Sequence, residues 1–429
     1  MGGGIQAGRY LHYMSPRPTE EGARERGKNA VNLPPMASSP SPLRTAIGGL
    51  VAMAAVMGIG RFVYTPILPF MAEAVPLSES QAGLIAAANF LGYLVGSLAG
   101  GTDLLKGDRR NWTLWALTFS VLSTGAMAAT PSIAAFVILR FVGGVCSALV
   151  MVFGSALVFD RLTAAGRPNL SHFHFAGVGT GMAISAIVVS VVGSMALGWV
   201  EQWLASAIVG AIALILVVFL LPAGEGDQAP DSTGAGSRID RRMIPLSLSY
   251  GLFGFGYVIT ATFISVLVRQ TPSIASIEPV IWLIVGLAAI PSVALWAWVG
   301  RRLGNPASIA LACLVEAAGV AATVLFASTA AVLIGGALLG GTFMGITAVG
   351  MTTARELALS SEGGDPRRML GLIVAAFGAG QMIGPAYGGY VAGLTGRFTL
   401  PSLTASAALV VAAGLAMMVR VDKAAQTPN

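Results

Sequence analysis

The chain has 429 residues, 55% hydrophobic and only 10% charged, with a formal net charge of +6 and a mean hydropathy of +0.77. A soluble domain carries about 25% charged residues, so water cannot be the main solvent here. The basic residues lie in short clusters between apolar stretches and form no continuous stripe, which argues against a nucleic-acid partner and makes them markers of topology.

The first segment, residues 1–42, is rich in Gly, Pro, Ser and Arg and has no apolar run. It cannot bury enough surface to fold and is read as a disordered cytoplasmic tail. Without an apolar core, and with Glu20, Glu21 and Glu25, it matches neither a signal nor a transit peptide. Met36 is a candidate alternative start.

Twelve apolar stretches of about 20 residues follow, each long enough at about 1.5 Å per residue to cross a hydrocarbon core of about 30 Å. The expected spans of the first half are Thr45–Phe70, Ser80–Gly101, Trp112–Ala129, Ile133–Phe159, Phe173–Leu197 and Trp203–Leu221. After a polar linker come Ile244–Val268, Val280–Val299, Ala307–Ala327, Ala330–Thr353, Met369–Leu394 and Leu400–Val419. The expected organisation is therefore a six-helix bundle over 43–221, a cytoplasmic linker over 222–242, a second bundle over 243–421 and a short cytoplasmic tail over 422–429. The 55 glycines suit helices that pack closely in lipid. Cys146 and Cys313 both fall within spans, so no disulfide framework is expected.

Cytoplasmic loops retain Lys and Arg. With the N-terminus inside, the inner segments hold Lys106, Arg109, Arg110, Arg161, Arg167, Arg238, Arg241, Arg242, Arg301, Arg302, Arg355, Arg367, Arg368, Arg420 and Lys423, whereas the outer loops hold Arg269 and Arg397. That alternation survives every loop and places both termini inside a bacterial inner membrane. The halves also repeat. Gly58-Ile59-Gly60-Arg61-Phe62 is echoed about 196 residues later by Gly254-Phe255-Gly256-Tyr257-Val258, and Gly143-Gly144 by Gly340-Gly341 at nearly the same offset. Gly177 and Gly179 correspond likewise to Gly378 and Gly380.

The string Gly58-Ile59-Gly60-Arg61-Phe62-Val63-Tyr64-Thr65-Pro66-Ile67-Leu68-Pro69 resembles the major facilitator superfamily, in its YbfB/YjiJ-type branch. Ala88-Asn89-Phe90-Leu91-Gly92-Tyr93-Leu94, Ala176-Gly177-Val178-Gly179 and Gly254-Phe255-Gly256-Tyr257 are similar to the same branch. The resemblance runs from about Leu43 to Val421. It implies an all-α membrane fold of two pseudo-symmetric six-helix bundles that rock about a central cavity, driven by a gradient and not by ATP. It names no ligand. Two departures matter. The loop after span 2 reads Gly100-Gly101-Thr102-Asp103-Leu104-Leu105-Lys106-Gly107-Asp108-Arg109-Arg110, an insertion relative to the superfamily pattern, and its counterpart Gly300-Arg301-Arg302-Leu303-Gly304 lacks the acid. Asp103, Arg109, Arg110, Arg301 and Arg302 are the gating candidates there. Span 11 carries Gly380-Gln381-Met382-Ile383-Gly384-Pro385, similar to an antiporter motif usually found in span 5, so direction stays open.

Arg61 is the principal substrate-site candidate. An arginine within a span costs about 2.5–3.5 kcal/mol on insertion scales, so it must face water, a partner or a ligand. Arg140 in span 4 is expected at a similar level. No Asp or Glu lies inside the first six spans, which points to an anionic substrate as the missing partner. Tyr64, Asn89, Tyr93, Tyr250, Tyr257, Thr260, Gln381 and Tyr387 supply hydrogen-bonding groups on spans that line the cavity in such a fold, although each could simply join helices. Glu316, midway along span 9, is the deep carboxylate and a proton-coupling candidate; a structural role is as well supported, because span 9 is peripheral in this fold. His172 and His174 could also relay protons, but a surface position is the favoured reading for both. Gly92, Gly96 and Gly100 in span 2, and Gly380, Gly384 and Gly388 in span 11, read as packing faces on spans that meet between the halves.

Three histidines, no metal-ligand spacing and no phosphate-loop lysine leave enzyme chemistry unsupported. No metal or cofactor is expected. The reading is a secondary transporter of a small organic anion, with the proton as coupling ion and the lipid bilayer as surroundings. The alternatives are an exporter of amphipathic drugs or cations, and a non-transporting membrane sensor.

Overall fold

The computed structural model describes residues 41–420 apart from 103–104, 106, 224–240, 327 and 361–365. Residues 1–40 of the expected N-terminal tail, the tail expected over 422–429 and most of the linker expected over 222–242 therefore fall outside the described residues, and Ser41 and Pro42 belong to the start of the first helix. What is described is helical. Helix α1 covers Pro42–Ala74, α2 Glu79–Gly100, α3 Arg109–Ala126, α4 Ile133–Ala164, α5 Ser171–Ser194 and α6 Trp199–Leu220. The second set is α7 Met243–Gln270, α8 Ala275–Leu303, α9 Asn305–Leu325, α10 Thr329–Ser360, α11 Pro366–Thr395 and α12 Thr399–Met417.

Ten of these segments are long and apolar enough to cross a membrane. Helix α8 is the eleventh once its two parts, bent by 43°, are taken as one span. Pro291 sits at that bend and cannot donate to the turn before it. Helix α3 has 18 residues, and its opening Arg109-Arg110-Asn111 lowers its apolarity. The chain is a multi-pass membrane protein. Helix α6 shows its environment plainly: Leu204, Ile208, Ile212, Ile215 and Phe219 are all exposed at helical spacing, a stripe that water would penalise and lipid accommodates.

The two sets of six helices form the paired bundles of the expected fold. Within them α2 packs on α4, α1 on α5, α7 on α11 and α9 on α10 and α12, while α2–α11, α5–α8 and α1–α7 join the halves. The internal repeat is visible in the packing. Gly144 of α4 lies against the backbone carbonyl of Asn89, and Gly340 of α10 against that of Val285, so both members of the second pair lie 196 residues beyond the first. A Cβ at either glycine would strike backbone, which is how small residues let helices approach in lipid.

One expectation about glycine needs correction. Gly92 and Gly96 face Phe141 and Val145 of α4, and Gly380 and Gly384 face Gly251 and Phe255 of α7. Both stripes pack within their own bundle. The contact between halves uses other glycines: Gly83 lies against Pro385, Gly389 against Glu79 and Gly378 against Leu94. A fourfold spacing marks a small-residue face on a helix but carries no information about which neighbour fills it.

Candidate functional site

The site begins with a break in α1. Pro66 has no N–H for the Phe62 carbonyl, and Pro69 none for that of Thr65. The ladder slips accordingly: Phe62 N donates to the Met57 carbonyl at 3.0 Å, Thr65 N donates to the Phe62 carbonyl at 3.2 Å, and Ala54–Arg61 is wound as a π-helix. Arg140 of α4 fills the gap. Its Nη1 and Nη2 donate to the carbonyls of Gly60 and Arg61 at 2.9 and 2.6 Å, and its own carbonyl accepts from Asn89 Nδ2 at 2.8 Å.

Wound this way, α1 turns Arg61 toward the other half. The side chain is 2% exposed. Nη2 donates to Gln381 Oε1 of α11 at 3.2 Å, and Gln381 Nε2 donates to the Tyr257 hydroxyl of α7. Aromatic faces cover the guanidinium: its carbon lies 4.1 Å from the centroid of Tyr93, 4.6 Å from Phe90 and 5.5 Å from Phe62. Nε meets no acceptor, and no carboxylate bonds Arg61 among the described residues. Arg61 and Tyr257 occupy equivalent positions in the repeat, so Gln381 links a cation of one half to its counterpart in the other.

The structure thus brings Arg61, Tyr93, Tyr257 and Gln381 together. It puts the other candidates elsewhere. The Tyr64 hydroxyl donates to the Ala82 carbonyl at 3.0 Å and its ring lies beneath Arg140. Tyr250 bonds the carbonyls of Ile346 and Thr347 in α10, and Tyr387 bonds Thr404 of α12 at 3.0 Å. The Thr260 hydroxyl is buried without a hydrogen-bond partner among the described residues. Both Arg140 terminal nitrogens serve the backbone of α1.

Glu316 is fully buried, and among the described residues neither of its oxygens has a hydrogen-bond partner. The histidines part company. His172 is exposed, but His174, expected at the surface, is fully buried. Its Nε2 bonds Ser155 Oγ at 2.8 Å and its ring packs between Phe159 and Phe175. The turn of α5 that carries it is covered by α1 and α4, which its place near the start of a span could not show.

A family profile described as "Uncharacterised MFS-type transporter YbfB" matches residues 53–417. The chain belongs to this family of the major facilitator superfamily. Two Bacillus subtilis (strain 168) proteins are similar in sequence. The uncharacterized MFS-type transporter YbcL is 23% identical over 220 residues, 50% of this chain and 55% of that protein. The uncharacterized MFS-type transporter YceJ is 30% identical over 95 residues, 22% of this chain and 24% of that protein. The matches thus span about half and about a quarter of those relatives. Among solved structures, the nucleoside transporter NupG superposes with a TM-score of 0.67 at 14% identity, over 89% of this chain and 99% of that one. The human organic anion transporter MFSD10 gives 0.63 at 17% identity, over 88% of this chain and all of the other. At these identities the likeness concerns the fold alone.

In this facilitator charged contacts near the loops are described at both ends. At the end carrying the clustered arginines, three described contacts lie within one half: Arg109 pairs with Asp160 at 2.5 Å, Arg110 bonds the carbonyls of Val218 and Leu221, and Arg302 lies over Trp298. Arg301 is exposed, and Asp103 lies outside the described residues. At the opposite end Arg269 of α7 grips Glu73 of α1, Nε to Oε1 at 2.8 Å and Nη2 to Oε2 at 3.0 Å. Below it the Thr65 hydroxyl donates to the Ala261 carbonyl at 2.8 Å. Both contacts join residues 196 apart, so α1 and α7 meet through equivalent positions, as elements beside a two-fold axis do. Glu73 and the rings of Phe90, Phe253, Phe343 and Phe377 escaped the sequence reading. The pairs Phe90–Tyr93 and Phe253–Tyr257, three and four apart on a helix, were the available signal.

Proposed function

We propose that the chain is a secondary active transporter of a small organic anion, working by alternating access in a bacterial plasma membrane with both termini in the cytoplasm. The observation that carries the reading is Arg61: buried between the halves, without a carboxylate partner among the described residues, and with an Nε that meets no acceptor. A carboxylate at about 4 Å in an effective dielectric near 20 gains about 4 kcal/mol from one arginine before desolvation. An anionic ligand offsets the cost of a buried cation that otherwise lacks a counter-charge. Its place between the repeats agrees with where transporters of this architecture hold substrate, and one structural neighbour bears the name of an organic anion transporter. Arg140 contributes by holding the α1 break in shape. The coupling ion is the proton, with Glu316, a fully buried carboxyl within a span, as its carrier. The orientation rests on the distribution of Lys and Arg.

The test is ligand-induced thermal stabilisation of purified wild type and Arg61→Gln against panels of organic acids and organic cations. Acids should stabilise the wild type and lose that effect in Arg61→Gln. Selective stabilisation by cations, unchanged or improved in the variant, sinks the anion reading. Accumulation in proteoliposomes under a pH gradient tests transport and coupling, and uptake that follows sodium and ignores pH removes the proton.

A further inference from the structure

We infer that the anion is a flat aromatic acid, its carboxylate held by Arg61 and its ring by a layer of parallel side-chain rings beside it; this rests on the anion reading above. Phe253 and Tyr257 of α7, Phe343 of α10 and Phe377 of α11 lie nearly parallel. Phe253 meets Tyr257 at 5.1 Å and 23°, and Phe377 at 5.5 Å and 18°. Tyr257 meets Phe343 at 5.5 Å and 13°, and Phe377 at 6.1 Å and 10°. Elsewhere among the described residues one ring pair, Trp112–Phe153 at 19°, is as flat. The rest are tilted or edge-on, such as Phe136–Trp199 at 87°. Aromatic packing mixes edge-on and offset-stacked contacts. Four rings from three helices sharing one orientation make a buried layer, and a planar ring matches such a layer better than a puckered one.

The layer is joined to the cation. The Tyr257 hydroxyl accepts from Gln381, and Gln381 Oε1 accepts from Arg61, so the polar edge of the stack and the guanidinium lie one glutamine apart. Tyr93 and Phe90 lie over the guanidinium carbon of Arg61, Nη1 donates to Met57 Sδ and Nη2 to Gln381, so the Nε side, which meets no acceptor among the described residues, is the edge left for a carboxylate. Edge-on approach is the geometry in which arginine binds carboxylates with two hydrogen bonds. A carboxylate bound this way is coplanar with the guanidinium, and an aromatic acid keeps its ring near that plane by conjugation. Tyr93 and Phe377, each 8% exposed, are the least covered rings of the group, while Phe253, Tyr257 and Phe343 are 0–4% exposed. They come from α2 and α11, helices of opposite halves that meet at Leu94 and Gly378, so the rim of the ring cluster lies where the two halves meet.

Matched acids separate this inference from the anion reading. The full chain is purified and thermal stabilisation is titrated with benzoate against cyclohexanecarboxylate, and with 2-naphthoate against decahydro-2-naphthoate, with benzyl alcohol and benzylamine as uncharged and cationic controls. The aromatic acid of each pair should bind roughly two- to tenfold more tightly, the range that ring–ring contacts supply. Phe343→Leu should bring that ratio close to one. Phe377→Leu, at the rim, serves if Phe343→Leu does not fold. Equal binding of both members in wild type overturns the aromatic inference and leaves the anion reading standing. A wild-type preference that survives both leucine variants also overturns the assignment to this layer, as does a lack of response to any of the four acids. Stabilisation by benzylamine or benzyl alcohol and by none of the acids overturns the anion reading together with it.

Discussion

Helices α1 and α7 occupy equivalent places in the two halves, yet they are built differently. Helix α1 is interrupted by a π-helical stretch and two prolines, and an arginine from α4 caps the carbonyls set free. Helix α7 runs unbroken from Met243 to Gln270. Where the first half has Arg140, the second has Gly336, packed against Ile281, because an unbroken helix has no free carbonyls to cap. Where the first half has Arg61, the second has Tyr257 at the centre of a ring stack. Where the first has Ser120, beside Gly60, the second has the buried Glu316. A duplicated scaffold has kept its glycine contacts and divided its chemistry: cations and a distorted backbone on one side, aromatic faces and a carboxyl on the other.

The sharpest way to break this comparison is to neutralise one member of the Arg61–Tyr257 pair at a time. Arg61→Gln should cost roughly 2–5 kcal/mol of anion binding, the range for truncating one partner of a buried charged contact. Tyr257→Phe removes only a neutral hydrogen-bond partner and should cost about 1 kcal/mol. Titrating both variants by thermal stabilisation checks the order, and equal losses would mean that the cation has no special role.

Stability should show the same asymmetry at the second pair. Arg140→Ala leaves two buried carbonyls without donors, and at roughly 1–3 kcal/mol for each unsatisfied group it should lower the thermal midpoint in detergent strongly. Gly336→Ala adds one methyl group against the end of the Ile281 side chain, an overpacking cost of about 1–3 kcal/mol. An Arg140→Ala midpoint no lower than that of Gly336→Ala would show that capping the α1 break is not what Arg140 does for the fold.

Coupling is the third contrast. Glu316→Gln should retain acid binding within about twofold, since the group touches no ligand contact directly, and should abolish the response of proteoliposome uptake to a pH gradient. Ser120→Ala, its counterpart in the repeat, should leave that response intact. Retained pH-driven accumulation in Glu316→Gln would move the proton to another carrier.

The smallest effect is expected where the two helices touch. Glu73 is exposed and Arg269 partly so, and pairs of that kind contribute about 0–1 kcal/mol. Glu73→Gln should therefore raise opening at that end by no more than about fivefold. The readout is the labelling rate of a cysteine placed at Ala72, which lines the cavity of about 240 Å³ beside the pair. Unchanged labelling would mean that the ion pair is not a latch.

Much of this architecture was legible in the residues. Span length, apolarity and the repeat near 196 residues follow from local rules, because a helix in lipid must satisfy its own backbone and a duplicated helix keeps its glycines. The isolated charge at Arg61 was equally visible, since an unpaired cation within a span is an anomaly at any position. What the sequence could not determine was which groups meet. Arg140 looked like a second substrate cation until the break in α1 was seen to leave the carbonyls of Gly60 and Arg61 within its reach. His174 looked superficial until α1 and α4 closed over it, and the glycine stripes of α2 and α11 proved to face their own bundles. Hydrophobic pattern and charge placement are properties of single helices and can be read along the chain. Hydrogen-bond partners and ring stacks depend on the rotation and depth of each helix relative to its neighbours, and those are set by the packing of all twelve together.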